Sequence, residues 1–320
     1  NYTKLAGATM FTLFFGGSDF APRTTMEGEP VQEYLQRHYL AAMRQVAERL
    51  AGLSHVVGYD TMNEPSPGYI GWADLHAHPG PLRLGASPTP FQAMCLGAGI
   101  EQEVEVWSMG LTGLRKRGQT RVDPGGTRAW LDGREDVWQE NGVWDVGEDG
   151  KPRLLRADHF CRVDGRDVDF VDDHLHPFLE RYAREIRAVD PGAVIFVEAP
   201  PTGRSPRWDA ARTPRVVHAA HWYDGLTLMT KRYLPFAGVD ARRGRVVLGR
   251  RRVRRSFAAQ LAAIQQETEE RMGQVPVLLG EFGITFDLEG GRAYRTGDFS
   301  RQVDAMDDTF QALEANLMSG

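Results

Sequence analysis

The stretch AVIFVEA, Ala193 to Ala199, is a near-continuous apolar run, which at this length fits a strand buried on both faces. Such a strand needs cover on both sides, and the flanking sequence supplies helices in alternation. Residues 31 to 50 set Leu35, Tyr39, Met43, Val46 and Leu50 on one stripe at helical spacing, with Pro30 ahead and Gly52 behind. The run through Val56 then reads as a strand, and residues 168 to 189 return to helical spacing through Phe170, Leu175, Phe178, Tyr182 and Ile186, stopped by Asp190, Pro191 and Gly192. After Ala199 the spacing predicts a strand near Val216 to Trp222, a helix from about Ser256 to Met272, a strand at Val275 to Gly280 and a last helix from about Phe299 to Leu317. This alternation predicts an α/β fold with a parallel sheet and right-handed crossovers, whose functional groups gather at the carboxyl ends of the strands.

Three of those ends carry polar groups. GYDTMNEP stops a strand on Asn63, Glu64 and Pro65, VPVLLGEFG stops another on Glu281 between glycines, and RVVHAAHWYD delivers His221, Trp222 and Tyr223. A single carboxylate at such a place is ordinarily a cap or turn residue. Two strand ends built alike fit a pair acting across a glycosidic bond, one as acid and then base, the other as nucleophile. At a separation of about 5 to 5.5 Å no water fits between them, so the second carboxylate attacks carbon directly. Like charges that close cannot both ionise easily, so one keeps a proton to donate. By strand alternation Trp222 points away from His221 and Tyr223. Glu198, at the end of VEAPP's strand, reads as a supporting rim residue.

The balance of the chain excludes other classes. At 320 residues, 42% hydrophobic and 25% charged, it can bury a large core. A net charge of -5 argues against nucleic acid as partner. Two cysteines, Cys95 and Cys161, make neither a disulfide framework nor a structural zinc site. His76 with His78, and His174 with His176, have spacings that could ligate a metal, but without an obvious third ligand they read as surface or capping residues. No metal and no cofactor is expected. Eight arginines fall between Arg242 and Arg255; a solvated loop leading into a helix is favoured over a patch touching anionic lipid headgroups. No apolar stretch approaches the roughly twenty residues that span a bilayer. A soluble protein is expected, in the cytoplasm rather than secreted. Residues 66 to about 160 hold five of the seven tryptophans, Trp72, Trp107, Trp130, Trp138 and Trp144. The segment is expected to be an insert within a single 1–320 domain, its tryptophans forming a private core or lining a sugar or lipid groove.

The motifs NEP, H-x-Y and GEFG at successive strand ends resemble glycoside hydrolase family 5, a retaining family on the (β/α)8 barrel. The stretches NYTKLAGATMFTLFF, SPTPFQAMCLGAG with VEVW, and GEFGITFDL followed by AYRTGDFSRQ resemble its endoglycoceramidase-related branch, whose members cleave β-glucosides of lipids. The resemblance implies Glu64 as acid/base, Glu281 as nucleophile, Asn63 on the sugar 2-hydroxyl, Tyr223 holding Glu281, and His221 beside the reacting centre, with Trp222 between the last two in sequence. GITFD departs from the family's pattern by lacking a proline after the isoleucine. The family's arginine on the second strand, histidine on the third and tryptophan on the eighth have no counterpart, so the four strands resemble the fourth to the seventh. The chain is therefore expected to be a partial barrel, begun upstream of NYTKLAGATM, with two open edges that fold poorly alone. Three functions follow: a glycolipid β-glucosidase, an endo-β-1,4-glucanase acting on polymeric glucan, or an inactive sugar-binding fragment.

Overall fold

The computed structural model of the chain describes residues 4–78, 83–110, 113–201, 203–240 and 243–320. Arg242 of the arginine run and residues 79–82 and 111–112 of the expected insert lie outside the described residues. The chain parts into two compact units, one of residues 1–46 with 66–178, the other of residues 47–65 with 179–320.

The second unit holds a four-stranded parallel sheet in the order Val277–Gly283, Val216–Tyr223, Val194–Val197, Gly58–Asp60. Each strand therefore lies beside its neighbour in the sequence, as successive right-handed crossovers produce. The helix Arg250–Met272 returns the chain from one strand to the next and packs Val253, Phe257 and Leu261 against Ala220, Trp222 and Leu279 of the sheet. Ala312, Leu313 and Met318 close the same cluster, Ala312 and Leu313 from the helix Ser300–Ala315. On the first strand Tyr59 turns outward, its hydroxyl donating to Asp190 Oδ2 at 3.1 Å. Gly58 leaves no side chain on the other face because the backbone of Val194 occupies that space.

Several boundaries depart from the pattern read in the sequence. The helix expected from Ser256 begins at Arg250, since the arginine-rich stretch enters the helix itself instead of forming a loop before it. Residues 168–189 are two elements, a π-helical turn Phe170–Leu175 and an α-helix His176–Arg187. In Val31–Leu50 the buried line is Val31, Gln36, Leu40 and Ala47, one position on from the expected stripe. Val46 is consequently 44% exposed. Buried Gln36 earns its place by donating to the Phe14 carbonyl at 2.8 Å. The helix Leu5–Phe20 gave no amphipathic signal, because both its faces are largely apolar.

The first unit joins residues 1–46 to residues 66–178. Its three-stranded antiparallel sheet joins Gly85–Ser87, Gln102–Gly110 and Gly113–Val122. Residues of 66–178 share a core with the N-terminal helix: the Trp138 indole N–H donates to Thr9 Oγ1 at 3.1 Å, and Trp138, Phe160 and Tyr69 meet edge to face or tilted. Trp138 and Trp144 are fully buried, so these two are packing residues; Trp72, Trp107 and Trp130 are partly exposed. The His78 ring is spoken for by Glu105 at 2.7 Å. Nδ1 of His174 lies 3.3 Å from the Phe15 carbonyl.

Candidate active site

All four parallel strands bring their carboxyl ends to one edge, and each end contributes to a single cluster within the second unit. Glu64 follows the first strand, Glu198 the second, His221 and Tyr223 close the third, and Glu281 lies near the end of the fourth. The first strand keeps its pairing one residue past Asp60, where the Thr61 N–H donates to the Phe196 carbonyl at 3.0 Å. Glu64 then adopts a φ of 45°, a left-handed conformation that crowds any residue with a Cβ. Its amide N–H donates to Glu198 Oε2 at 2.6 Å. A buried carboxylate thus holds the turn that aims Glu64.

His221 stands among three carboxylates. Its Nδ1 lies 3.2 Å from Glu64 Oε1 and 3.7 Å from Glu281 Oε2, and its Nε2 lies 3.3 Å from Glu198 Oε2. Both ring nitrogens face acceptors, which suits an imidazolium with two N–H donors. Burial alone would push the ring's pKa down; the hydrogen bond and charge of Glu198, then Glu64, then Glu281, carry it up to about 9. His218, three residues earlier and turned toward the helix Arg250–Met272, shows the opposite case. It is buried with Nδ1 2.7 Å from Thr268 Oγ1, and burial pushes its pKa down to about 4.

Glu64, His221 and Glu281 bring donor atoms within 4.8 Å of one another. With the ring protonated, its charge offsets part of the negative charge of these carboxylates. The Tyr223 hydroxyl donates to Glu281 Oε1 at 2.7 Å. Burial, followed by the hydrogen bond and charge of Glu281, raises this phenol to about 12, and it remains a donor across the neutral range. Asn63 is exposed beside Glu64. A cleft of about 280 Å³ bounded by His218, Gln260 and Glu267 reaches His221 and Tyr223 from the helix side; Glu64 and Glu281 stand outside its lining.

Of the six residues singled out in the sequence, the structure brings together Glu64, His221, Tyr223 and Glu281, while Asn63 precedes Glu64 in the chain and is exposed. Trp222 is buried, meets Phe257 edge to face with ring centroids 5.0 Å apart, donates its indole N–H to Gln260 Oε1 at 3.3 Å, and lines the helix-side cleft. Period two along the strand puts it on the core face, as its neighbours' direction requires. Two carboxylates matter more than the sequence suggested. Glu198 is buried at the centre of the cluster instead of standing at its rim. Asp60 went unnoticed; it hydrogen-bonds Glu198, and its pKa is held above the ordinary carboxylate range by the protein packed about it and then by the charge of Glu198. Although Asp60 keeps an exposed edge, the direction follows from two carboxyl groups sharing one proton. Its signal was its place two residues after Gly58, on the same strand face.

No protein-family model matches the chain. Individual proteins do. A glucosylceramidase of Aspergillus fumigatus is 35% identical over 361 aligned residues, covering 100% of this chain and 47% of its own. An ergosteryl-beta-glucosidase of Saccharomyces cerevisiae is 32% identical over 361 residues, with the same two coverages, 100% and 47%. Among solved structures, the crystal structure of Cryptococcus neoformans sterylglucosidase 1 superposes with a TM-score of 0.91 at 32% identity, over 98% of this chain and 50% of that one. The chain spans about half the length of the relatives it matches. Over its whole length it is similar to these fungal glucosylceramidases and steryl glucosidases.

Proposed function

We propose that the protein is a retaining β-glycoside hydrolase acting on a glycolipid, of the glucosylceramide or steryl glucoside type. The observation that carries this reading is the approach of Glu64 and Glu281, with oxygens inside 4.8 Å and one of them anchored by Tyr223. That spacing is on the short side of the range for carboxyl pairs, where retaining enzymes lie, and suits direct attack. The lipid character of the substrate is supported by the names of relatives 32 to 35% identical over the whole chain. A polymeric glucan is the alternative substrate, and no observation in the structure favours it.

In this reading Glu281 attacks the anomeric carbon through the oxygen Tyr223 does not hold, while Glu64 gives its proton to the departing oxygen. A glycosyl ester on Glu281 results. Glu64, now a carboxylate, takes a proton from water as the water's oxygen attacks the same carbon, and Glu281 leaves. The His221 imidazolium, 3.2 Å from Glu64, offsets the negative charge Glu64 carries between the two steps. Asn63, next to Glu64 in the chain, would hydrogen-bond the sugar 2-hydroxyl. The four parallel strands, each beside its sequence neighbour, support reading them as consecutive strands of a (β/α)8 barrel, and the free Cys95 and Cys161 support a reducing compartment.

The test is incubation with glucosylceramide, a steryl glucoside and a soluble β-glucan, together with trapping by a 2-deoxy-2-fluoro-β-glucosyl fluoride. Glucose release from one lipid substrate and a mass label on the peptide of Glu281 are expected, both lost in Glu281→Gln. Turnover that persists in Glu281→Gln, or a label on another residue, overturns the assignment. Sugar release from the glucan alone overturns the glycolipid substrate, and binding of glucosides without release identifies a sugar-binding protein.

A further inference from the structure

The segment between Tyr223 and Arg250 leaves the sheet at its carboxyl edge, the edge that carries the candidate carboxylates, and folds into an antiparallel hairpin of Ala237–Asp240 with Arg245–Leu248. Its register sorts the two faces. Gly238 and Asp240 are buried, and any side chain at position 238 would press on Val253 and Phe257 of the helix beneath. Val247 packs into the same core. The opposite face carries Ala237, Val239, Val246 and Leu248, paired 237 with 248 and 239 with 246. Val246 is 64% exposed and Leu248 63%. Phe236, joined to the hairpin's end by the Gly249 N–H bond to its carbonyl, is 60% exposed. An outward sheet face built of β-branched and aromatic side chains is not an ordinary solvated surface.

The arginines around this face divide by role. Arg254 is structural: its Nε lies 2.6 Å from Asp308 Oδ1, and Asp308 also accepts from the Tyr233 hydroxyl. Arg243 pairs with Asp240. Arg250, Arg251 and Arg252, which open the helix after Leu248, are exposed and form no salt bridge among the described residues, whereas Arg245 pairs in register with Asp240 on the face opposite Val246 and Leu248. The helix N-terminus disfavours cations, yet three consecutive arginines stand in its first turn, of which Arg250 acts on the Tyr233 phenol.

We propose that this apolar face with its arginine border is a docking surface for an anionic lipid bilayer, seating the carboxylate-bearing edge of the sheet against the membrane that holds the substrate. The choice of lipid rests on the glycolipid reading above. Charge decides between occupants: a second copy would set arginine against arginine, whereas anionic headgroups complement the border while Phe236, Val246 and Leu248 enter the interfacial layer.

The experiment is co-sedimentation of the protein with vesicles of phosphatidylcholine alone and of equimolar phosphatidylcholine and phosphatidylserine. Three proteins are compared: the natural sequence, Val246→Ser/Leu248→Ser, and Arg250→Glu/Arg251→Glu. The natural protein is expected to bind the anionic vesicles and weakly the neutral ones, with binding falling as salt is raised. Each lost arginine contact should reduce partitioning about fivefold, and the serine pair at least tenfold. Turnover of a soluble aryl β-glucoside should be equal in all three, which shows that the variants are folded. Equal binding to both vesicle types, or unchanged binding in both variants, overturns the proposal. So does a serine pair that lowers the melting temperature or changes the oligomeric state, since the face is then covered by protein. Vesicle binding is measured without catalysis, so an inactive protein that binds would sink the glucosidase reading and leave the docking surface standing.

Discussion

At the scale of single residues, the site is governed by one positive charge among several negative ones. His221 touches Glu64, Glu198 and Glu281 within 3.7 Å, and Glu198 also receives the amide of Glu64. Glu198 therefore acts on backbone and charge together: it fixes the left-handed turn at Glu64 and holds the imidazole protonated. Tyr223 occupies one oxygen of Glu281, which in the proposed mechanism leaves the other to react. Hydrogen bonds to charged groups contribute about 1.5 to 3 kcal/mol. Tyr223→Phe should accordingly lower kcat/KM for an aryl β-glucoside by about ten- to a hundredfold, with the melting temperature nearly unchanged. An unaltered rate would mean that Tyr223 does not hold the nucleophile.

At the scale of elements, the carboxylates meet only because short strands pair in one register. The strand Gly58–Asp60 pairs with Val194, Ile195 and Phe196 over three residues, and it alone carries the Glu64 turn. A Cβ at Gly58 would lie 1.9 Å from the Val194 carbonyl oxygen, so Gly58→Ala must push the two strands apart. A loss of about 3 kcal/mol is expected, read as a lower denaturation midpoint, with activity falling more than stability because Glu64 moves with the strand. If both are unchanged, the register seen here does not position Glu64. The neighbouring pair is irregular as well: a register shift between Ala220 and His221 introduces one extra residue on the partner strand and sets the height at which His221 meets Glu281.

At the scale of the whole molecule, the protonated histidine makes stability depend on pH. His221 rises from 6.5 to about 9 on folding. Its contribution is complete below the unfolded value and is lost as pH climbs through the folded one. The melting temperature of the natural protein should therefore fall between about pH 6.5 and 9, and His221→Gln should flatten that fall. A slope of opposite sign in this window would show that His221 is neutral in the folded protein. Among the described residues no helix is long and apolar enough to span a bilayer.

What the sequence determined by itself was the alternation of strand and helix and the residues at strand ends, because periodicity and turn chemistry are local. Glu64 and Glu281 were legible from their Asn-Glu-Pro and Gly-Glu-Phe-Gly contexts, and the outward turn of Trp222 from the two-residue period of a strand, even though it had been counted with the site. The helix Leu5–Phe20 was not legible, since a helix apolar on both faces carries no stripe. Nor was the sharing of a core between residues 66–178 and 1–46, which depends on contacts such as Trp138 to Thr9 across 129 positions. Only the tertiary structure decided that Glu198 stands at the centre of the cluster and that Asp60 shares its proton. Burial and the distance between charges set protonation, and neither quantity exists until the strands lie side by side.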